Sequence, residues 1–212
     1  MELYKTVRTE ASVPQTIERS RFIAHIKPVE SREEAEDFIA RIRAQYRDAT
    51  HNVPAMVLGD KAQIQWASDD GEPQGTSGAP MVQLFTGEGL TNLVIVVTRY
   101  FGGIKLGTGG LVRAYSSSAK MAIEAAGICS VCSVCRMSVR IEYTFLDRII
   151  KMAEQDLSRP ESFVIAETDY GEKVTLQLLC QEEDEEKVRG MLANLTSGTA
   201  QITESSRELQ RV

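Results

Sequence analysis

No stretch of 18 apolar residues occurs in the chain, so no transmembrane helix is expected. The opening Met-Glu-Leu-Tyr-Lys-Thr-Val-Arg lacks the apolar core of a signal peptide; a cleaved secretory signal is not expected, and a cytoplasmic location is the default. Positive charge is also scarce: 24 Lys and Arg stand against 30 Asp and Glu, a net charge of −6. A globally basic nucleic-acid binder is thereby excluded. The deficit is uneven, since residues 1–135 carry 14 basic against 15 acidic side chains and residues 136–212 carry 10 against 15. A local basic patch on the first part stays open.

Metal ligands are few. There are two histidines and four cysteines, and neither histidine is near a cysteine. Cys129, Cys132 and Cys135 have the spacing C-x-x-C-x-x-C, but Cys180 is far along the chain. Residues 128–143 also read as a strand, which puts Cys132 on the opposite face from Cys129 and Cys135. Reduced, partly buried thiols are expected, with no metal and no cofactor. There is no Ser/His/Asp order, no reactive Cys/His pair and no internal repeat, so no catalytic residue is assigned.

What the chain does have is a glycine-rich loop. Residues 98–115 read Thr-Arg-Tyr-Phe-Gly-Gly-Ile-Lys-Leu-Gly-Thr-Gly-Gly-Leu-Val-Arg-Ala-Tyr, after the apolar run at 93–97 and leading into a helix. Gly102, Gly103, Gly107, Gly109 and Gly110 allow positive φ and close approach of another molecule to the backbone. Arg99, Lys105 and Arg113 surround the loop, and the helix that follows would favour an anion. A phosphate site is therefore a candidate, beside the plainer reading of a tight strand-to-helix turn. The loop is neither of the two common phosphate motifs: Thr108 stands where a Walker lysine belongs, and Val112 where the last glycine of a dinucleotide fingerprint would fall.

Residues 16–29 read as a strand ending at Pro28. Ser31 and Glu34 form a capping box for a helix over about 32–46. Strands follow at 53–58 and 63–68, then the acidic turn 68–73, a short helix at 79–85, a strand at 92–99 and a helix over about 109–126. In that last helix Leu111, Tyr115, Ala119, Ala122 and Ala126 make the apolar stripe. The remainder gives a strand at 136–143, a helix at about 145–157, strands at 162–167 and 174–179, a helix over about 183–195 and a strand at 199–203. That order is the ferredoxin-like β-α-β-β-α-β. An α+β chain of two domains, 1–135 and 136–212, is expected.

Asp69-Asp-Gly-Glu-Pro-Gln-Gly-Thr-Ser-Gly-Ala-Pro80, together with Arg99-Tyr-Phe-Gly-Gly-Ile-Lys-Leu-Gly-Thr-Gly-Gly-Leu-Val-Arg-Ala-Tyr115, resembles the signature pair of the YigZ/IMPACT family. Thr50-His51-Asn52 matches a third family element. The likeness covers residues from about 16 to 126, and the second half resembles the small C-terminal domain of bacterial members. Many members continue after His-Asn with a cysteine and an aromatic, where this chain has Val53-Pro54. The resemblance implies an N-terminal β-α-β fold shared with the second domain of a small-subunit ribosomal protein and with domain IV of elongation factor G, and a C-terminal domain like domain V of that factor. It marks His51, Asn52, Asp69, Asp70, Glu72, Gly75, Ser77, Gly78, Tyr100 and Tyr115 as family-motif positions. Eukaryotic IMPACT proteins restrain a starvation-activated kinase acting on translation initiation, aided by an added RWD domain. No room for that domain is expected ahead of residue 16, so the kinase role does not carry over whole.

The leading functional expectation is a translation-associated protein that binds RNA or the ribosome. The amides of residues 102–110 and Arg99, Lys105 and Arg113 would meet phosphates, and Tyr100, Phe101 or Tyr115 would offer a stacking face. Burial is the alternative for Tyr115, on its helical stripe. A second reading is a phosphate- or nucleotide-handling enzyme in which His51, Asp69, Asp70 and Glu72 supply acid–base groups or hold Mg²⁺. Against it, Asp69 and Asp70 would cap turns or pair with Arg99 and Arg113, and His51 would be a hydrogen-bonded residue at a strand start. A third is a protein-interaction module with a protein partner. No membrane partner is expected.

Overall fold

The computed structural model describes residues 2–154, 157, 159 and 161–211. It divides into two compact units, Tyr4–Ser130 and Met1–Leu3 with Val131–Val212. The division falls within strands β1 (Glu2–Val7) and β7 (Ile128–Ile141).

In the first unit β2 (Ala11–Ile17), β3 (Ser20–Pro28), β4 (His51–Leu58), β5 (Ile64–Ala67) and β6 (Leu93–Tyr100) form one antiparallel sheet in the order β2-β3-β6-β4-β5. Helix α1 (Arg32–Gln45) covers one face, and α2 (Gly78–Gly87) and α3 (Gly107–Ala126) cover the other. The central strand shows why its sequence is a continuous apolar run. Leu93, Ile95 and Val97 pack towards α2 and α3, while Val94 and Val96 pack towards α1, and all are buried. A strand covered on both faces has no polar side to show. On α3 the stripe Leu111, Tyr115, Ala119, Ala122 and Ala126 is buried as the spacing predicts. Its small residues let the helix lie close to β2 and β3, where Gln15 Nε2 donates to Ala114 O (3.3 Å), Ser117 Oγ (3.1 Å) and Ser118 Oγ.

The strand expected over 16–29 is a hairpin. Glu18 and Arg19 turn it with φ of 46° and 63°. Both central residues at positive φ fit the twist of the flanking strands, a role usually filled by Asn or Gly. Helix α1 is capped by Ser31 as expected, its Oγ accepting from Glu34 N at 3.1 Å, while Glu34 Oε2 accepts from Glu30 N, one residue before the cap, at 3.0 Å.

In the second unit β7, α4 (Tyr143–Met152), β8 (Phe163–Tyr170), β9 (Val174–Gln181), α5 (Glu185–Leu195) and β10 (Gln201–Arg211) follow the ferredoxin-like order, with neighbours β10-β7-β9-β8, all antiparallel. Its core joins Met137, Val139, Ile149, Phe163, Leu176, Leu178, Val188 and Leu192. The helix expected to reach 157 ends at Met152; of the residues beyond it, 155, 156, 158 and 160 lie outside those described. The last strand runs to Arg211 rather than 203. Its second half is polar and sits on the sheet edge, held by Arg136 to Glu208 (3.0 and 3.2 Å) and Arg207 to Glu182 (2.9 Å).

Cys135 and Cys180 face each other across β7 and β9. Both are free and buried, and burial pushes the Cys180 thiol up to about 12. Cys132 is only partly buried. Among the described residues no group of three or more His, Cys, Asp or Glu is placed to hold a metal ion.

Candidate functional site

The expected site residues separate into a buried network and an exposed loop. The network gathers at the C-terminal end of β6. Alternation along that strand points Arg99 to the same face as Leu93, Ile95 and Val97, and its side chain is 5% exposed. Its Nη1 lies 2.6 Å from Glu72 Oε1, and Nη2 donates to Ser20 Oγ at 3.3 Å. Tyr115 OH donates to the same Glu72 oxygen at 2.8 Å. Burial first, then the Glu72 carboxylate, hold the Tyr115 hydroxyl far above its ordinary range, so it stays a neutral donor. Phe22 meets the Tyr115 ring edge-on with centroids 5.5 Å apart and has the Arg99 guanidinium 5.4 Å away.

His51 opens β4. Its Nδ1 is 2.7 Å from Asp70 O, a carbonyl that only accepts, so Nδ1 carries the proton and Nε2 faces Glu72 Oε2 at 3.9 Å. Asn52 is wholly engaged in the fold. Its Nδ2 donates to Tyr46 O (2.9 Å) and its Oδ1 accepts from Thr98 Oγ1 (2.7 Å).

The acidic turn is a capping device. Asp69 accepts from the amides of Gly75 (2.7 Å), Ser77 (3.1 Å) and Gly78 (3.0 Å) and from Ser77 Oγ (2.6 Å). It thereby closes the start of α2. Burial pulls its carboxyl upward, but the Ser77 hydroxyl and the three amides outweigh this and hold it below the ordinary range. Asp70 accepts from Asn52 N (2.7 Å) and pairs with Arg43 (2.9 Å). A side chain at Gly78 would meet Ala67 Cβ at 2.8 Å, so the glycine lets α2 lie against β5; Gly75 takes φ of +75° in the turn. In these placements Asp69 caps α2, Asp70 bonds the Asn52 amide and pairs with Arg43, and Glu72 pairs with Arg99; the expected pairing with Arg113 is corrected to Arg43 and Arg99.

Two corrections also apply to the phosphate set. Arg99 lies under the loop rather than on it. The Gly102 amide donates to Ser20 Oγ at 3.2 Å, and a side chain there would meet Arg19 C and O at 2.1 Å. Gly102 is thus a packing glycine at the β2–β3 turn. Tyr115, wholly buried, offers no stacking face. Tyr100 is half-buried, with its hydroxyl bonded to Asp48 Oδ1 at 3.0 Å.

The rest of the loop is open. A side chain at Gly103, Gly107 or Gly109 would meet nothing within 4 Å, and Gly103 and Gly107 have φ of +87° and +70°. Gly110 is tighter, with Leu106 Cβ at 3.1 Å. Lys105 and Arg113 are exposed and line one cavity of about 390 Å³ beside the start of α3. Phe101, 47% exposed, has its amide fixed to Thr50 Oγ1 at 3.0 Å and the Arg99 guanidinium 5.6 Å from its ring centre. The arrangement is a pair of exposed cations and an open backbone above the buried Arg99–Glu72 ion pair.

The fold and these motif positions define a class that comparison with known proteins bears out. The Impact N-terminal domain matches residues 18–123, and a domain of unknown function, DUF1949, matches residues 139–199. The IMPACT family member YvyE of Bacillus subtilis is 38% identical over 201 residues, covering 95% of this chain and 90% of that protein. YigZ of Escherichia coli is 32% identical, covering 95% and 98%. The crystal structure of a hypothetical protein, 32% identical, superposes with a TM-score of 0.61 over 95% of this chain and 97% of that one. Mouse Protein IMPACT is 35% identical over 100 residues, 45% of this chain but 31% of that protein. The chain belongs to the IMPACT family, and to its two-domain bacterial form.

Proposed function

We propose that the protein is a translation-associated regulator that contacts RNA or the ribosome through the loop between β6 and α3. The observation that carries this reading is the pairing of exposed Lys105 and Arg113 with the open glycines 103, 107 and 109 at the start of a 20-residue helix. The first-turn amides of such a helix have no partner within it, and its dipole favours an anion there. Lys105 and Arg113 add two full charges to a surface that the chain as a whole, at −6, does not favour for polyanions. The family's link to translation supports the choice of polyanion. The enzyme reading has less support, because the three carboxylates it needs are engaged: Asp69 in capping, Asp70 with the Asn52 amide and Arg43, and Glu72 in a buried ion pair.

Equilibrium binding to ribosomal RNA across a salt series tests the proposal. Each neutralised phosphate contributes roughly 0.7–0.9 to the slope of log K against log salt, so Lys105→Ala/Arg113→Ala is expected to lower that slope by about 1.5. Binding that does not weaken as salt rises, or a slope unchanged in the double variant, would contradict it.

A further inference from the structure

We propose that this loop takes single-stranded rather than duplex RNA, with one unstacked nucleotide lodged in the cavity beside the start of α3; the proposal rests on the RNA reading above. The cavity, about 390 Å³, has a mixed lining. Ile17, Ile104 and Leu106 contribute apolar surface, and Lys105 and Arg113 contribute positive charge. A duplex keeps its bases stacked inside and offers a protein phosphates and sugars, which need exposed cations but no apolar recess. An unstacked nucleotide joins a planar apolar base to a phosphate, and apolar and cationic residues lining one cavity suit those two parts. The volume is within the range of pockets that enclose a small ligand. Glu18, which lines the same cavity, supplies a carboxylate acceptor for the edge of a base.

Phe101 is the second, separate observation. It opens the same loop and is 47% exposed, yet its backbone is pinned by Thr50 and its ring is backed by Arg99, which is itself fixed to Glu72. An exposed aromatic ring held in place loses little entropy when a neighbouring base stacks on it.

The test is fluorescence anisotropy on the full chain with a labelled single strand of about a dozen nucleotides and the duplex of the same sequence. Wild type is compared with Ile104→Glu, Phe101→Leu and Lys105→Ala/Arg113→Ala, each checked by thermal melting. Ile104 is partly buried and outside the main core clusters, so its variant is expected to fold. The single strand is expected to bind about tenfold tighter than the duplex, and Ile104→Glu and Phe101→Leu to remove most of that preference, as loss of a stacking contact does. Equal binding of both forms, each lost in the double variant, would overturn the single-strand inference and leave the RNA reading standing. A nucleoside monophosphate that binds as tightly as the strand would also overturn it, making the cavity a free-nucleotide site. Binding of neither form would overturn both.

Discussion

Glu72, Arg99 and Tyr115 come from three separate stretches of the chain and meet through contacts of 2.6 and 2.8 Å on a single carboxylate oxygen. With side chains 4% and 5% exposed, the Glu72–Arg99 pair is held where water cannot replace a lost partner. Glu72→Gln is expected to cost about 3–5 kcal/mol in urea unfolding, because it leaves the Arg99 charge buried and unpaired. Glu72→Gln/Arg99→Met should recover part of that loss; a single variant costing under about 1 kcal/mol would place the pair among weak surface bridges. His25 makes a second prediction. It is 5% exposed, with Nδ1 on Ser12 Oγ at 2.9 Å and Nε2 buried without a partner among the described residues. Burial first, and then the Arg41 charge, against a smaller opposing pull from Glu10, lower its pKa to about 4. The unfolded chain, with a histidine near 6.5, takes up the proton first as pH falls. Stability is therefore complete above about 6.5 and declines towards 4, by at most roughly 3 kcal/mol, and His25→Leu should flatten the decline. Denaturant midpoints measured from pH 7 to 4 check this; equal pH dependence in both proteins would exclude His25 as its source.

At the scale of elements, the glycines of one loop serve different ends. Gly102→Ala drives a methyl group to 2.1 Å from the Arg19 backbone and is expected to lower stability by about 2 kcal/mol or more. Gly109→Ala meets open space in the first turn of α3, so stability should hold or rise by up to about 1 kcal/mol while RNA binding weakens. Thermal melts beside binding curves separate the two, and a Gly109→Ala variant with unaltered RNA binding would remove its backbone from the contact surface. These differences also mark what was legible in the sequence. Strand β6 was readable because both of its faces are covered, and α1 because Ser31 and Glu34 sit at capping distance. The β2–β3 turn was hidden because Glu18 and Arg19 take positive φ without the usual Asn or Gly. The end of β10 was hidden because an edge strand tied by ion pairs needs no apolar alternation. Arg99 was assigned to the loop although the two-residue period from Leu93 to Val97 already pointed it inward. The capping of α2 by Asp69 was among the readings open from the sequence, but only coordinates show the amides of Gly75, Ser77 and Gly78 converging on it.

For the whole molecule, the proposed function has an acidic chain meet a polyanion, and such a contact has to be local. With two exposed cations and an open loop on the first unit, the proposed contact predicts a modest affinity that salt weakens quickly. The family assignment was readable from two long motifs in order, in which Gly78 and Gly102 are held by close packing and Glu72 and Arg99 by a buried pair. The function was less so, because the exposed part of the site is only a few side chains wide. The measurement that bears most directly on the account is co-sedimentation with ribosomes over a salt series, wild type beside Lys105→Ala/Arg113→Ala. The account predicts binding at low salt that fades as salt rises and is lost in the double variant. Absence of binding at low salt, or binding indifferent to the two substitutions, would contradict it.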